Sequence, residues 1–69
     1  MITPTMTARA VMTGTGPLYL ASVVGGPCDV VARSTEAAAL AAGAAYVADR
    51  WGRRADGTWS PYPEQWERP

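Results

Sequence analysis

The hydrophobic and polar positions in the first half of the chain predict three short strands. TARAVMT (7–13) places alternate residues on opposite faces, as a strand does. LYLASVV (18–24) is the most strand-like run of the chain, and DVVAR (29–33) is the third β segment. The breaks between these runs, GTGP (14–17) and GGPC (25–28), combine glycines, which tolerate positive φ, with prolines, which fix φ. Three short strands joined by tight turns predict an antiparallel meander.

The run STEAAALAAGAAYVADRWG (34–52) predicts the one helix. Ser34 or Thr35 can accept hydrogen bonds from the first free amides, and Glu36 lies at the positive end of the helix dipole. Gly52 is suited to the left-handed position after the last turn. The sequence therefore predicts both ends of the helix.

Helical periodicity divides this segment into two faces. The face expected to pack on the sheet contains Ala37, Leu40, Ala44, Val47 and Trp51. The outward face presents Ala38, Ala42 and Ala45, where a solvated helix usually carries charged residues. Alanine is the best helix former and is tolerated in water, so this face has two interpretations: ordinary solvated helix, or a smooth surface for a second copy, as in a homodimer, or for a partner helix.

After the helix, Asp56-Gly57 favours a two-residue hairpin turn, so residues 58–60 are expected to form a short last strand. Pro61 and Pro63 interrupt further ladder bonding, and the tail should be extended or form one helical turn. The prediction is a single α+β domain, residues 1–69, with β-β-β-α-β order. A small three- to four-stranded antiparallel sheet carries one helix on one face, and residues 61–69 form a proline- and aromatic-rich tail.

Because the chain has few large aliphatic residues, aromatic rings must supply much of the buried apolar surface. The chain has thirteen alanines but three leucines, one isoleucine and no phenylalanine, and an aromatic side chain can bury on the order of 150–250 Å². Trp51 falls on the predicted sheet-facing stripe. We expect Trp59 and one of Tyr62 or Trp66 to cover an open face or edge of the sheet, with the remaining ring partly exposed.

Charge and cysteine content narrow the class of protein. Six arginines balance six acidic residues, which disfavours direct nucleic-acid binding, usually marked by a domain pI above about 9. Cys28 is the single cysteine, so no intramolecular disulfide can form and an intracellular location is expected. The chain starts without a signal-like segment, and its longest uncharged helical run, residues 37–48, is shorter than the roughly 20 residues a membrane helix needs. We therefore expect a soluble cytoplasmic protein.

Residues typical of catalysis or metal binding are scarce. The chain has no histidine, and Cys28 precedes Asp29, which would raise rather than lower the thiol pKa. The acidic residues have no metal-loop spacing. The glycine pairs neither open a helix nor precede a Lys-Ser/Thr pair, so phosphate-loop motifs fail. We predict a non-enzyme without cofactor or metal.

Arginine and aromatic residues are densest at and after the helix end. Arg50, Arg53 and Arg54 flank Trp51, and Tyr62 and Trp66 follow among prolines. Arginine and tryptophan are enriched at interface hot spots, so the two tail rings and the three arginines are candidate partner-binding residues. The alternative is that Trp51 lies in the core while the arginines complement the helix dipole and pair with Asp49 or Asp56.

In size and layout the whole chain resembles the very short α/β proteins of phages and mobile elements, among which anti-CRISPR inhibitors are one group. The likeness rests on no motif, so it assigns no functional residue. It implies a protein-binding inhibitor that blocks a surface of a larger, DNA-binding nucleoprotein complex. Two other hypotheses remain: a nucleic-acid-binding module that uses Arg33 with the three helix-end arginines, and a self-associating structural protein.

Overall fold

A computed structural model of the chain describes residues 3–25 and 29–68, so the prediction for Cys28 lies outside the described residues. In chain order the elements are strands β1 (Met6–Thr13), β2 (Gly16–Val23) and β3 (Val31–Arg33), helix α1 (Glu36–Arg50), strands β4 (Gly52–Arg53) and β5 (Trp59–Ser60), and a 3₁₀ turn (Pro63–Gln65). This order confirms the predicted small α+β fold.

The main sheet is the predicted antiparallel meander, in the order β1-β2-β3. β1 and β2 pair along their full length, from Met6 opposite Val23 to Thr13 opposite Gly16, so a two-residue turn joins them. β3 is shorter than predicted and pairs with β2 alone, with Val31 opposite Ala21. Across the described ranges, β1 and β3 are therefore the two edges of this sheet.

The amino-terminal end of α1 is formed as predicted, and the carboxyl-terminal end is not. Thr35 is the N-cap, and its Oγ1 accepts a hydrogen bond from the Ala38 N–H at 3.2 Å. At the other end Trp51 leaves the helix in an extended conformation, and its N–H still donates to the Val47 carbonyl. The prediction of a left-handed Gly52 is wrong: Gly52 starts β4, because the chain continues directly into a second hairpin.

The helix contacts the sheet through Ala39, Gly43 and Val47. The predicted stripe is correct for Val47 and Trp51 and wrong for Ala37, which is exposed. The reason is Gly43: a Cβ there would lie 3.0 Å from the Ala21 Cβ and still closer to Met6. The helix rests on the sheet at the position where it has no side chain, which brings the two layers close together.

The core lies at the carboxyl-terminal end of the helix. Val23, Val47 and Trp51 form its buried centre, and Met6, Val30, Tyr46 and Trp59 pack around them. Trp51 is 8% exposed, which confirms that it faces the sheet. By contrast, the turn end of the β1–β2 hairpin has little cover, since Met12 there is 76% exposed. The molecule is accordingly elongated, with extents of 47 × 22 × 15 Å.

β4 and β5 form a separate two-stranded antiparallel sheet. The Arg54 N–H donates to the Thr58 carbonyl and the Gly57 N–H to the Arg54 carbonyl, at 2.7 and 2.9 Å. These bonds close a three-residue loop, so the predicted two-residue turn is wrong by one residue. Gly57, at φ +89°, occupies the left-handed position that a three-residue hairpin loop needs.

The tail folds back on this small sheet. The Trp66 indole lies against Gly52, and its Nε1–H donates to the Ser60 carbonyl at 2.7 Å. Fully buried Ser60 donates from Oγ to Gln65 Oε1, also at 2.7 Å. Tyr62 is 51% exposed. Trp59 therefore packs against the core and Trp66 covers the small sheet at Gly52, while Tyr62 is the exposed ring. This matches the prediction that two of these rings cover a sheet and the third stays partly exposed.

A pH effect is expected in the β4–β5 loop. Asp56 Oδ1 accepts hydrogen bonds from the Thr58 hydroxyl and N–H at 2.6 and 3.0 Å, and these bonds lower the pKa of Asp56 despite some opposing desolvation. A lowered folded pKa contributes stability above the ordinary carboxyl pKa of about 3.9 that is lost as the pH falls through the folded value. In an NMR titration the Thr58 amide should shift with a midpoint below about 3.9.

The Asp56→Asn variant keeps an acceptor oxygen but has no proton to gain at this position. It should lose the Thr58 titration while retaining the loop bonds. A Thr58 midpoint at or above the ordinary carboxyl value in the unmodified protein would contradict the assigned role of Asp56.

Candidate functional site

The three helix-end arginines do not form one patch. Arg54 points into the hairpin and tail: its Nε and Nη2 donate to Gln65 Oε1 at 3.0 and 2.7 Å. Its Nη1 donates to the Thr58 hydroxyl and the Trp59 carbonyl at 3.0 and 3.2 Å. With this guanidinium occupied by internal hydrogen bonds, Arg54 holds the tail on the hairpin.

Arg53 also turns back on the hairpin. It lies opposite Trp59 in the β4–β5 register, with its guanidinium carbon 6.0 Å from the ring centroid. Its Nη2 donates to the Gly57 carbonyl at 3.1 Å. Arg53 ends β4 and Arg54 follows it, and the two guanidiniums donate to different acceptors, Arg53 to the Gly57 carbonyl and Arg54 mainly to Gln65. A shared docking patch is therefore not formed.

Arg50 remains on the surface of the helix. Its guanidinium carbon lies 4.6 Å from the Tyr46 ring centroid, a cation–π arrangement, and its Nη1 is 3.2 Å from Asp49 Oδ2. The Arg50 side chain is 57% exposed in spite of both contacts. Of the three predicted arginines, Arg50 is therefore the one whose side chain is mostly exposed to solvent.

Tyr62 and Trp66 lie in different environments. Tyr62 is exposed, whereas Trp66 is half-buried against Gly52 and hydrogen-bonded to Ser60. The internal contacts of Trp66 give its ring a structural function. A partner-binding role for either ring stays a prediction.

A groove of about 510 Å³ runs between α1 and the outer edge of β3. Its lining residues come from both elements: Val31, Arg33, Ala42, Ala45, Tyr46, Asp49 and Arg50. Ala42 and Ala45 belong to the face predicted to be outward, and their small side chains leave the space open. The homodimer predicted through Ala38, Ala42 and Ala45 stays a prediction; the groove gives two of these residues a defined surface.

The groove carries a net positive charge. Arg33 and Arg50 lie on opposite sides of it, one on the strand and one on the helix, and Asp49 is its one acidic lining residue. Arg33 is exposed, with Nη1 donating to the Ala32 carbonyl at 2.7 Å. Among residues 3–25 and 29–68 the outer edge of β3 pairs with no other strand, so it adds backbone donors and acceptors to this charge. Such a surface can bind an extended acidic segment.

Sequence reasoning missed part of this site. Val31 and Tyr46 were not predicted as site residues, and Arg33 was considered only as part of the nucleic-acid-binding hypothesis. A signal was present: Tyr46 and Arg50 are four residues apart and so share a helix face, and Arg33 ends the last strand before that helix. Nothing in the sequence indicated that this helix face lies close to the edge of β3.

The described residues set limits on other chemistry. Within residues 3–25 and 29–68, no group of three His, Cys, Asp or Glu side chains is arranged to hold a metal ion. In the same ranges, no helix has the length and apolar character needed to cross a membrane.

Comparisons with known proteins add no assignment. No family model matches the chain, and searches of curated proteins and of solved structures found no significant match.

Proposed function

We propose that this chain is a protein-binding domain that recognises an extended, acidic segment of its partner in the groove between α1 and β3. The observation that supports this most is the juxtaposition of an open strand edge with two exposed arginines. Arg33 and Arg50 lie on the two sides of the groove, and Tyr46 supplies an aromatic surface next to them.

The unpaired edge favours an extended occupant. A segment that adds to a sheet edge gains affinity from backbone hydrogen bonds and specificity from alternate side chains. β3 has three residues, Val31–Arg33, and offers few such bonds. Side-chain contacts must therefore supply most of the affinity, and guanidinium–carboxylate hydrogen bonds are among the stronger ones available.

The proposed mode of action is occupancy of a surface on a larger assembly, without turnover of a substrate. This is the mode that the resemblance to short phage inhibitors implies, and a cytoplasmic, DNA-binding nucleoprotein complex is the corresponding partner. A domain of this kind needs one rigid recognition surface, and the groove is bounded by a helix and a strand that pack against each other.

The arginine arrangement gives less support to nucleic-acid binding. Arg53 and Arg54 make internal hydrogen bonds, and Arg9 pairs with Asp29 at 2.7 Å, a contact that raises the pKa of Arg9. A phosphate backbone is usually tracked by several free cations in a row. Of the other arginines, Arg33 and Arg50 line the groove and Arg68 is exposed in the tail. Three cations on a strand, a helix and the tail make too small a basic surface for that role.

Selection from a displayed random-peptide library tests the proposal. Enriched peptides should alternate apolar and acidic residues, and their binding should shift the backbone amides of Val31–Arg33 in NMR spectra. Ala45→Trp fills the groove and should weaken binding by roughly tenfold or more. Ala48→Trp is the matched control, since Ala48 is an exposed alanine of the same helix outside the groove lining.

Equal binding by the two tryptophan variants, or shifts confined to other surfaces, would refute the groove as the recognition site. Sedimentation of the protein without peptide distinguishes a second copy as occupant. A dimer that is lost in Ala45→Trp and kept in Ala48→Trp would support self-association in place of a foreign partner.

A further inference from the structure

A second cavity lies between the β4–β5 hairpin and the main sheet. Its volume is about 340 Å³, within the lower range of small-molecule sites. Its lining residues are Thr3, Thr5, Val23, Val24, Arg53, Gly57, Thr58 and Trp59. We call it the Arg53 pocket. It shares no lining residue with the groove beside β3.

Arg53 is the one charged residue among these lining residues. The salt bridges found in the described part of the chain are Arg9–Asp29 and Arg50–Asp49, so Arg53 has no carboxylate partner there. The nearest acidic residue in sequence, Asp56, directs its carboxylate to Thr58. The pocket therefore contains a positive charge that the described residues leave uncompensated.

The hydrogen bonding of Arg53 is also incomplete. Its Nε is inaccessible to solvent and has no hydrogen-bond partner in residues 3–25 and 29–68. Nη2 donates to the Gly57 carbonyl, and Nη1 has no acceptor within the same ranges. A buried donor without an acceptor is costly, and more so on a charged group. An anion next to the guanidinium would compensate the charge and accept from Nη1, while the inaccessible Nε would stay unpaired.

The guanidinium is held in place before any ligand arrives. The Gly57 carbonyl fixes one end, and the Trp59 ring lies beside it across the register. A Cβ at Gly57 would lie 3.0 Å from Arg53 Nη2, which shows how closely the guanidinium packs on the loop. A prearranged arginine loses less conformational entropy on binding an anion than a free surface arginine does.

The remaining lining defines the ligand class. Thr3 and Thr5 are exposed residues whose hydroxyls can donate to anion oxygens. Val23 and Trp59 provide an apolar wall suited to a flat, uncharged body. The walls thus match a molecule with one oxyanion and one apolar part.

We propose that the Arg53 pocket binds a small organic anion, with its carboxylate or phosphate against Arg53 and its apolar part against Trp59. Carboxylate and phosphate share the charge and acceptor geometry that a guanidinium recognises. The site is independent of the groove, so either proposal can fail without the other.

NMR titration with benzoate and with phenyl phosphate tests this site, and benzyl alcohol is the neutral control. Both anions should shift the Arg53 Nε–H and Trp59 indole N–H signals saturably, at or below about 10 mM, while benzyl alcohol should not. The tighter of the two anions identifies the preferred head group. Arg53→Gln should weaken anion binding by roughly tenfold or more. Arg68→Gln changes an exposed arginine outside the lining of the pocket and should leave anion binding unchanged.

The same response to benzyl alcohol as to the anions would overturn the proposal, as would undiminished anion binding by Arg53→Gln. If Arg53→Gln does not fold, Thr5→Val serves in its place, because it removes a hydroxyl from an exposed position and should also weaken binding. Unchanged binding by a folded Thr5→Val together with a non-saturable response in the unmodified protein would then rule the site out.

Discussion

The Trp51→Ala variant is expected to lose about 3–5 kcal/mol of unfolding free energy. Trp51 is 8% exposed and packs with Val23 and Val47 in the buried centre. For 69 residues, roughly 0.05–0.15 kcal/mol per residue gives a total stability of about 3–10 kcal/mol. Removal of this indole therefore consumes a large share of the stability, and the variant should be mostly unfolded or melt far below the unmodified protein.

Thermal and urea unfolding followed by circular dichroism measure this loss. Tyr62→Ala is the matched control, because Tyr62 is an aromatic residue with 51% of its surface exposed. A change at such a site usually stays within about 0.5 kcal/mol. Equal losses for the two variants would show that Trp51 does not organise the core.

The second large effect is expected from Gly52→Ala. A Cβ at Gly52 would lie no more than 2.6 Å from Cδ2, Cγ and Cε2 of the Trp66 indole. The ring is rigid and is held by its bond to the Ser60 carbonyl, so it can relieve the overlap only by leaving its position. Overpacking of this kind costs roughly 1–3 kcal/mol, and the tail should detach from the hairpin.

The measurement is hydrogen exchange at the Trp66 indole N–H, which should lose protection in Gly52→Ala. Gly14→Ala is the control: it adds the same methyl group where no atom lies within 4 Å, and Gly14 has no positive φ. Retained protection in Gly52→Ala would mean that the ring does not depend on the missing side chain.

The strand order was predictable because local signals agreed. Strand-like composition indicated the three main strands, and the first glycine–proline break, residues 14–17, contains the two-residue turn between β1 and β2. β3 is shorter than the predicted segment, Val31–Arg33 in place of residues 29–33. Alternation reports which positions can be half-buried, whereas strand length depends on where the partner strand runs.

The helix face was harder to predict because α1 is mostly alanine. With nearly equal side chains around the axis, the apolar contrast is weak, and the rotation was decided by Gly43 against Ala21 and Met6. That contact joins residues distant in sequence. The prediction of the helix end failed for a similar reason. Gly52 is a glycine because the Trp66 ring, distant in sequence, packs directly against it, and not because it ends the helix.

The sequence predicted which residue types form the candidate site, but not which of those residues lie close together. Arg50, Arg53 and Arg54 are close in sequence, yet a helix end and a strand direct them to three different environments. Arg33 and Arg50, which are distant in sequence, line one groove. Grouping of this kind depends on the packing of β3 beside α1, which no local pattern encodes.

The outer edge of β1 has a practical consequence for handling the protein. In the described residues this eight-residue strand pairs on one side alone, carries Arg9 as its single charge and contains no proline. Edges of this type template intermolecular β-sheet, and the sequence pI of about 6.1 gives little mutual repulsion near neutrality. Concentrated solutions of the protein should therefore aggregate first through β1. A buffer whose pH is well above the pI should keep the protein in solution.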